Sequence, residues 1–91
     1  MATTTTQSRL HTLAKFHPAT AGRWPERANE LFHRAITPSR AISLYALRPG
    51  YGYVVAWCNG GQDGVNYYRD EADALAYIAR ATRDLERQDT P

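Results

Sequence analysis

Cysteine is nearly missing from this chain. Cys58 stands alone among 91 residues, so no internal disulfide can form and no paired-cysteine zinc module can be assembled. That usage agrees with a reducing compartment. Long apolar runs are missing too, since a bilayer span needs ~20 consecutive apolar residues and the longest stretches here, Tyr53 to Cys58 and Ala74 to Ala79, are far shorter. Met1 is not followed by a basic and then apolar leader, and we therefore expect a cytoplasmic chain with no membrane contact. Lysine is represented by Lys15 only, so nearly all positive charge sits on guanidinium groups. No internal repeat or low-complexity core is visible.

What is present concentrates between Ala41 and Arg87. Residues 41–47 (AISLYAL) have the β-branched and aromatic content of a strand. Arg48-Pro49-Gly50-Tyr51-Gly52 breaks it, because proline presets φ at the second turn position and glycine accepts the positive φ that follows. Tyr53–Cys58 resumes as a strand without a polar residue, and Asn59 to Gly64 reads as a turn. Val65–Arg69 then completes an antiparallel meander. Asp70, Glu71 and Asp73 announce a helix over 70–86, where acids suit the positive end of the helix dipole. Leu75, Ile78, Ala79, Thr82 and Leu85 follow helical spacing and are expected to form its buried stripe.

The first half predicts two further helices. Residues 1–7, with four threonines in a row, read as a disordered tail, and 88–91 as another. Ser8 can cap a helix over 9–16 that ends at His17-Pro18. Pro25 suits the first turn of a helix over 25–36. In that segment Ala28, Leu31, Phe32, Ala35 and Ile36 fall on one helical face, with Arg23, Arg27, Glu30 and Arg34 on the other. The expected fold is one α+β domain over 8–87: a three-stranded antiparallel meander carrying two N-terminal helices and one C-terminal helix. Its predicted core comprises Leu13, Leu31, Phe32, Ile36, Leu44, Val54, Ala56, Leu75, Ile78 and Leu85. If Cys58 pairs with Val65, then Val54, Ala56, Cys58, Val65 and Tyr67 share one sheet face, and Tyr53, Val55, Trp57, Asn66 and Tyr68 the other. Either the helices cover both faces or one face keeps an exposed aromatic patch.

Little in the chain points to catalysis. Cys58 has no histidine or orienting carboxylate placed beside it by a local pattern, and a cysteine ending an apolar strand is a small core residue. One cysteine and His11, His17 and His33 lack the close-paired spacings of a zinc site. Asn59–Gly64 matches neither a phosphate loop nor a calcium loop. No catalytic residue, metal or cofactor is expected, and we read the chain as a non-enzyme.

Binding remains. The net charge of +2 conceals an asymmetry, with seven basic and two acidic side chains in residues 1–50 and four basic and seven acidic in 51–91. In one reading Arg23, Arg27 and Arg34, joined by Arg40 and Arg48, grip phosphates while tyrosine and tryptophan on the sheet stack bases, a direct nucleic-acid module. In the other, Tyr53, Trp57 and Tyr68 anchor a protein partner and the arginines add planar hydrogen bonding. A homodimer through the open sheet face is a variant of the second. The small, divided charge favours a protein partner. The glycine-turn hairpin that feeds a helix through Tyr67-Tyr-Arg-Asp-Glu-Ala-Asp-Ala-Leu75 resembles small phage and mobile-element proteins of the anti-CRISPR inhibitor type. That resemblance implies a protein without catalysis that docks on a host nucleic-acid-processing complex and inhibits it. The basic first half departs from the acidic, DNA-like surface of some such inhibitors.

Overall fold

The computed structural model describes residues 6–87, and the fold is α+β. Helix α1 (Thr6–Lys15) leads through a 3-10 turn (Pro18–Thr20) into strands β1 (Glu30–Thr37), β2 (Arg40–Ala46), β3 (Tyr53–Asn59) and β4 (Gln62–Tyr68), and helix α2 (Glu71–Arg87) closes the chain. The strands form one antiparallel sheet in the order β1-β2-β3-β4. Each helix covers one face. Leu10 and Ala14 of α1 pack with Ala41, Tyr45, Leu47, Val54, Ala56 and Cys58. Ala74, Ile78 and Leu85 of α2 pack with Ile42, Leu44 and Val55.

Three expectations are corrected by this architecture. The segment expected to be a helix over 25–36 contains an edge strand, so the sheet has four strands, and α1 is the N-terminal α-helix among the described residues. The reason lies in β2. Ala41 to Leu44 are at most 1% exposed, and a strand buried on both faces must satisfy its backbone groups on both sides. Strand β1 supplies that second ladder. Its apolar doublets, Leu31-Phe32 and Ala35-Ile36, coincide with two register shifts against β2, between Glu30 and Phe32 and between Ala35 and Thr37. A bulge inserts one residue and breaks the period of two. With bulges at Leu31 and Ile36, the two apolar doublets start four residues apart and imitate helical spacing in a strand.

Helix α2 is where the sequence places it, but rotated. Ala74, Ile78 and Leu85 are buried with Tyr77 and Ala81 against the sheet, whereas Leu75 is 45% exposed. Leu31 is 50% exposed at its bulge and also leaves the predicted core. The third correction concerns the hairpin. Gly60 and Gly61 alone form the turn, and Cys58 faces Asp63 rather than Val65. Because that slip is two residues, the two face sets survive it. Thr6 and Gln7, expected in the tail, are helical and tied down: Thr6 Oγ1 donates to the Pro38 carbonyl and the Gln7 amide to the Glu30 carboxylate. Both expected tails otherwise fall outside the described residues.

Candidate functional site

The aromatic trio read from the sequence lies beneath α2. Tyr53, Trp57 and Tyr68 are half-buried and pack on the cluster of Ile42, Val55 and Ile78. Tyr68 also meets the Tyr77 ring at 5.6 Å. Burial and that neighbour push the Tyr68 phenol pKa upward. Since α2 covers this face and α1 the other, the described residues hold no open sheet face. The homodimer drawn from an open face loses its premise. A cleft of about 160 Å³ on that side is lined by Trp57, Asn59, Tyr77, Ala81, Asp84 and Leu85.

The three arginines do not share a helix side. Arg34, on β1, pairs with Glu86 near the end of α2, and Arg40 donates to the Leu85 carbonyl at 3.0 Å. Both hold the C-terminal turn of α2 to the sheet. Arg27 lines a shallow cleft with Lys15, Trp24 and Glu26. Arg23 is different. Its guanidinium carbon sits 5.5 Å from the centroid of the Tyr67 ring, within the range of a cation–π contact. The Tyr67 hydroxyl donates to the Tyr51 carbonyl.

Local sequence explains why these groups meet. Arg48-Pro49-Gly50-Tyr51 is a β-turn closed by the Tyr51 amide on the Arg48 carbonyl at 2.9 Å, with Gly50 at φ 87°, the geometry of a type II turn with proline second and glycine third. Gly52 follows at φ 96°, and a Cβ there would fall 2.6 Å from the Tyr68 carbonyl oxygen and 2.8 Å from the Tyr67 hydroxyl. Glycine at 52 thus lets the turn close down on the end of β4. The Arg48 amide donates to the Arg23 carbonyl at 2.9 Å, and its Nε to the Trp24 carbonyl at 3.0 Å. The turn and the Arg23–Trp24 segment are therefore stitched together. Arg48 and Arg69 line a cleft of about 270 Å³ with Pro49, Gly50, Tyr53 and Asp70. Tyr51 and Tyr67 remain 48% and 40% exposed. The β2–β3 end of the sheet thus presents Arg23, Arg48 and Arg69 with two tyrosines. Tyr51, Tyr67 and Arg69 were missed from sequence because pairing register and turn closure bring them together, not spacing along the chain.

Two potential nucleophiles, Cys58 and Ser43, are buried. Cys58 is fully buried. His33 Nδ1 lies 2.6 Å from the Ser43 hydroxyl across β1 and β2, but Ser43 is 0% exposed, so no substrate carbonyl could reach it. Its neighbour Tyr45 packs with His11 and Trp24 as an aromatic triad. Burial pushes the Tyr45 phenol up to about 12. The nearby Ser43 hydroxyl opposes that shift but is not in hydrogen-bonding geometry with the phenol, which has no partner among the described residues. Among the described residues no group of three or more histidine, cysteine or carboxylate side chains could hold a metal ion, and no helix is long and apolar enough to cross a membrane. Comparison with protein-family models, curated proteins and solved structures finds no match to this chain.

Proposed function

We propose that this protein is a non-enzymatic binding protein that works through its arginine–tyrosine end. The observation that supports this reading is the fixed pose of Arg23 over Tyr67, with Arg48 and Arg69 exposed on the same end of the sheet. A guanidinium whose neighbours already hold it loses less entropy when it meets a carboxylate or phosphate. Tyrosine and arginine are also the side chains that concentrate binding energy at protein interfaces. The partner is a host protein complex that handles nucleic acid, met through an acidic surface in the cytoplasm and inhibited by occupation. This extends to the chain the role of the anti-CRISPR type of mobile-element inhibitor that its hairpin-to-helix architecture resembles. The contact moves from Tyr53, Trp57 and Tyr68 to Tyr51 and Tyr67, because α2 already uses the first three.

Direct nucleic-acid binding is the second reading, favoured by the same three arginines beside an exposed tyrosine ring. Salt separates the two. A pull-down from the host, treated with nuclease and washed at raised salt, should recover a defined protein complex. A phosphate-driven contact would weaken steeply with salt. Tight binding to naked DNA or RNA at physiological salt, with no protein recovered after nuclease, would overturn the first reading in favour of the second.

A further inference from the structure

Strand β4 is an outer strand of the sheet, and its free edge is regular where that of β1 is not. Which of its backbone groups face outward follows from the bonds on the other side of β3. The Leu47 amide donates to the Gly52 carbonyl and the Gly60 amide to the Ser39 carbonyl, so even-numbered positions along β3 bond toward β2. Odd positions of β3 then bond toward β4, and the register pairs them with Gln62, Gly64, Asn66 and Tyr68. The N–H and C=O groups of Asp63, Val65 and Tyr67 therefore point away from the sheet. Both helices pack mainly over β2 and β3 and also reach β4, and among the described residues no strand pairs with its outer side. Edge strands are ordinarily blunted by bulges, proline or rows of charge. Strand β1 has its two bulges, whereas β4 runs in unbroken register with β3 from Gln62 to Tyr68.

We infer that the β4 edge is a self-association surface, and that its occupant is β4 of a second copy in antiparallel pairing about Val65. A two-fold axis there sets Val65 against its own copy and Asp63 against Tyr67 of the other. All three outward-facing positions are then bonded in both chains, and the two sheets fuse into one of eight strands. No charge meets its like in this register. Asp63, already paired with Arg9 at 3.2 Å, falls opposite a tyrosine and Arg69 opposite Gly61. Sliding the pairing by two residues sets one outward position opposite a residue beyond β4, Tyr67 opposite Gly61 in one direction and Asp63 opposite Arg69 in the other, so the centred register alone keeps all three positions opposite the partner strand. This surface shares Tyr67 with the arginine–tyrosine end but uses its backbone N–H and C=O, whereas that end uses its side chain.

The test is sedimentation of the full chain across a concentration series, with amide exchange read by NMR. Wild-type protein should pass from monomer to dimer as concentration rises, and the Asp63, Val65 and Tyr67 amides should become protected in step with dimer formation. Val65→Pro removes an outward N–H that no strand of the same chain uses, so it should abolish the dimer while leaving the circular dichroism of the fold. If that variant fails to fold, the exchange measurement on wild-type protein decides alone. A chain that stays monomeric at every concentration, or a dimer in which those three amides exchange as fast as in the monomer, would overturn the inference. Protection of the three amides only when a different protein is added would assign the edge to a foreign strand and overturn it equally.

Discussion

Ile78→Ala and Leu75→Ala, made singly, measure the rotation of α2 about its axis. Ile78 is 5% exposed and packs among Ile42, Leu44 and Val55, while Leu75, three residues earlier, is 45% exposed. Truncating a buried isoleucine removes its transfer free energy and leaves a cavity, which together cost about 2–5 kcal/mol. The site can relax little, because Ile42, Leu44 and Val55 beneath it are fully buried and α2 is tied at its far end by Arg34 and Arg40. Leu75 leaves no cavity, and alanine is as good a helix former, so its truncation should cost within ~0.5 kcal/mol. A domain of this size has only ~5–15 kcal/mol of stability in all, so the two variants should be far apart in urea unfolding, with slopes unchanged. Equal loss at both positions, or a larger loss at Leu75, would mean that the stripe of 75, 78, 79, 82 and 85 faces the sheet and that α2 is turned the other way.

Tyr45→Phe removes a buried hydroxyl without a partner, and such a group costs ~1–3 kcal/mol, so the variant should melt no lower than wild type. The same substitution bears on pH. With its folded-state pKa raised from 10.0 to about 12, Tyr45 contributes stability that is complete below pH 10 and lost as pH rises toward 12. Stability measured across that window should fall less steeply in the phenylalanine variant; an unchanged slope would show that Tyr45 is not the buried titrating phenol. Gly52→Ala should cost on the order of 1–3 kcal/mol or more, from a positive φ and from the Tyr68 carbonyl a Cβ would strike, and it should also displace Tyr67; a neutral result by thermal unfolding would refute the close approach of turn and strand. Arg34→Ala, which breaks an exposed pair with Glu86, should change stability by at most ~1 kcal/mol.

Much of the second half of this fold is legible in its sequence. Pro49-Gly50 encodes the turn it makes, the apolar run from Tyr53 encodes a strand covered on both faces, and the acids after Tyr68 mark the start of α2. The failures have physical causes. Leu31-Phe32 and Ala35-Ile36 read as helical because each doublet marks a bulge, and what decides strand over helix there is the need of β2 for a second neighbour, a tertiary demand that no local window contains. Leu75 looks like a core residue because leucine is the largest apolar side chain at the start of α2. Alanine at 74 lets the helix lie close, and Tyr77 packs on Tyr68, so the buried face sets Ala74 and Ala81 among Tyr77, Ile78 and Leu85. The aromatic trio is legible as a cluster but not as a covered one, since its cover comes from the far end of the same chain. Arg23 is legible as a cation, but its tyrosine partner lies 44 positions away and is brought there by the register of β4.

The most direct test of the account measures the affinity of the purified partner complex for three forms of the protein: wild type, Arg48→Ala with Arg69→Ala, and Leu75→Ala. The arginine pair lines the cleft at the β2–β3 end, whereas Leu75 marks the outer surface of α2. By calorimetry at physiological salt, the double arginine variant should keep its fold and bind at least about fivefold more weakly, as loss of more than ~1 kcal/mol at a hot spot implies. Leu75→Ala should bind like wild type. Full affinity in the arginine variant, with binding lost on substitution at the exposed surface of α2, would contradict the assignment of the arginine–tyrosine end as the contact surface.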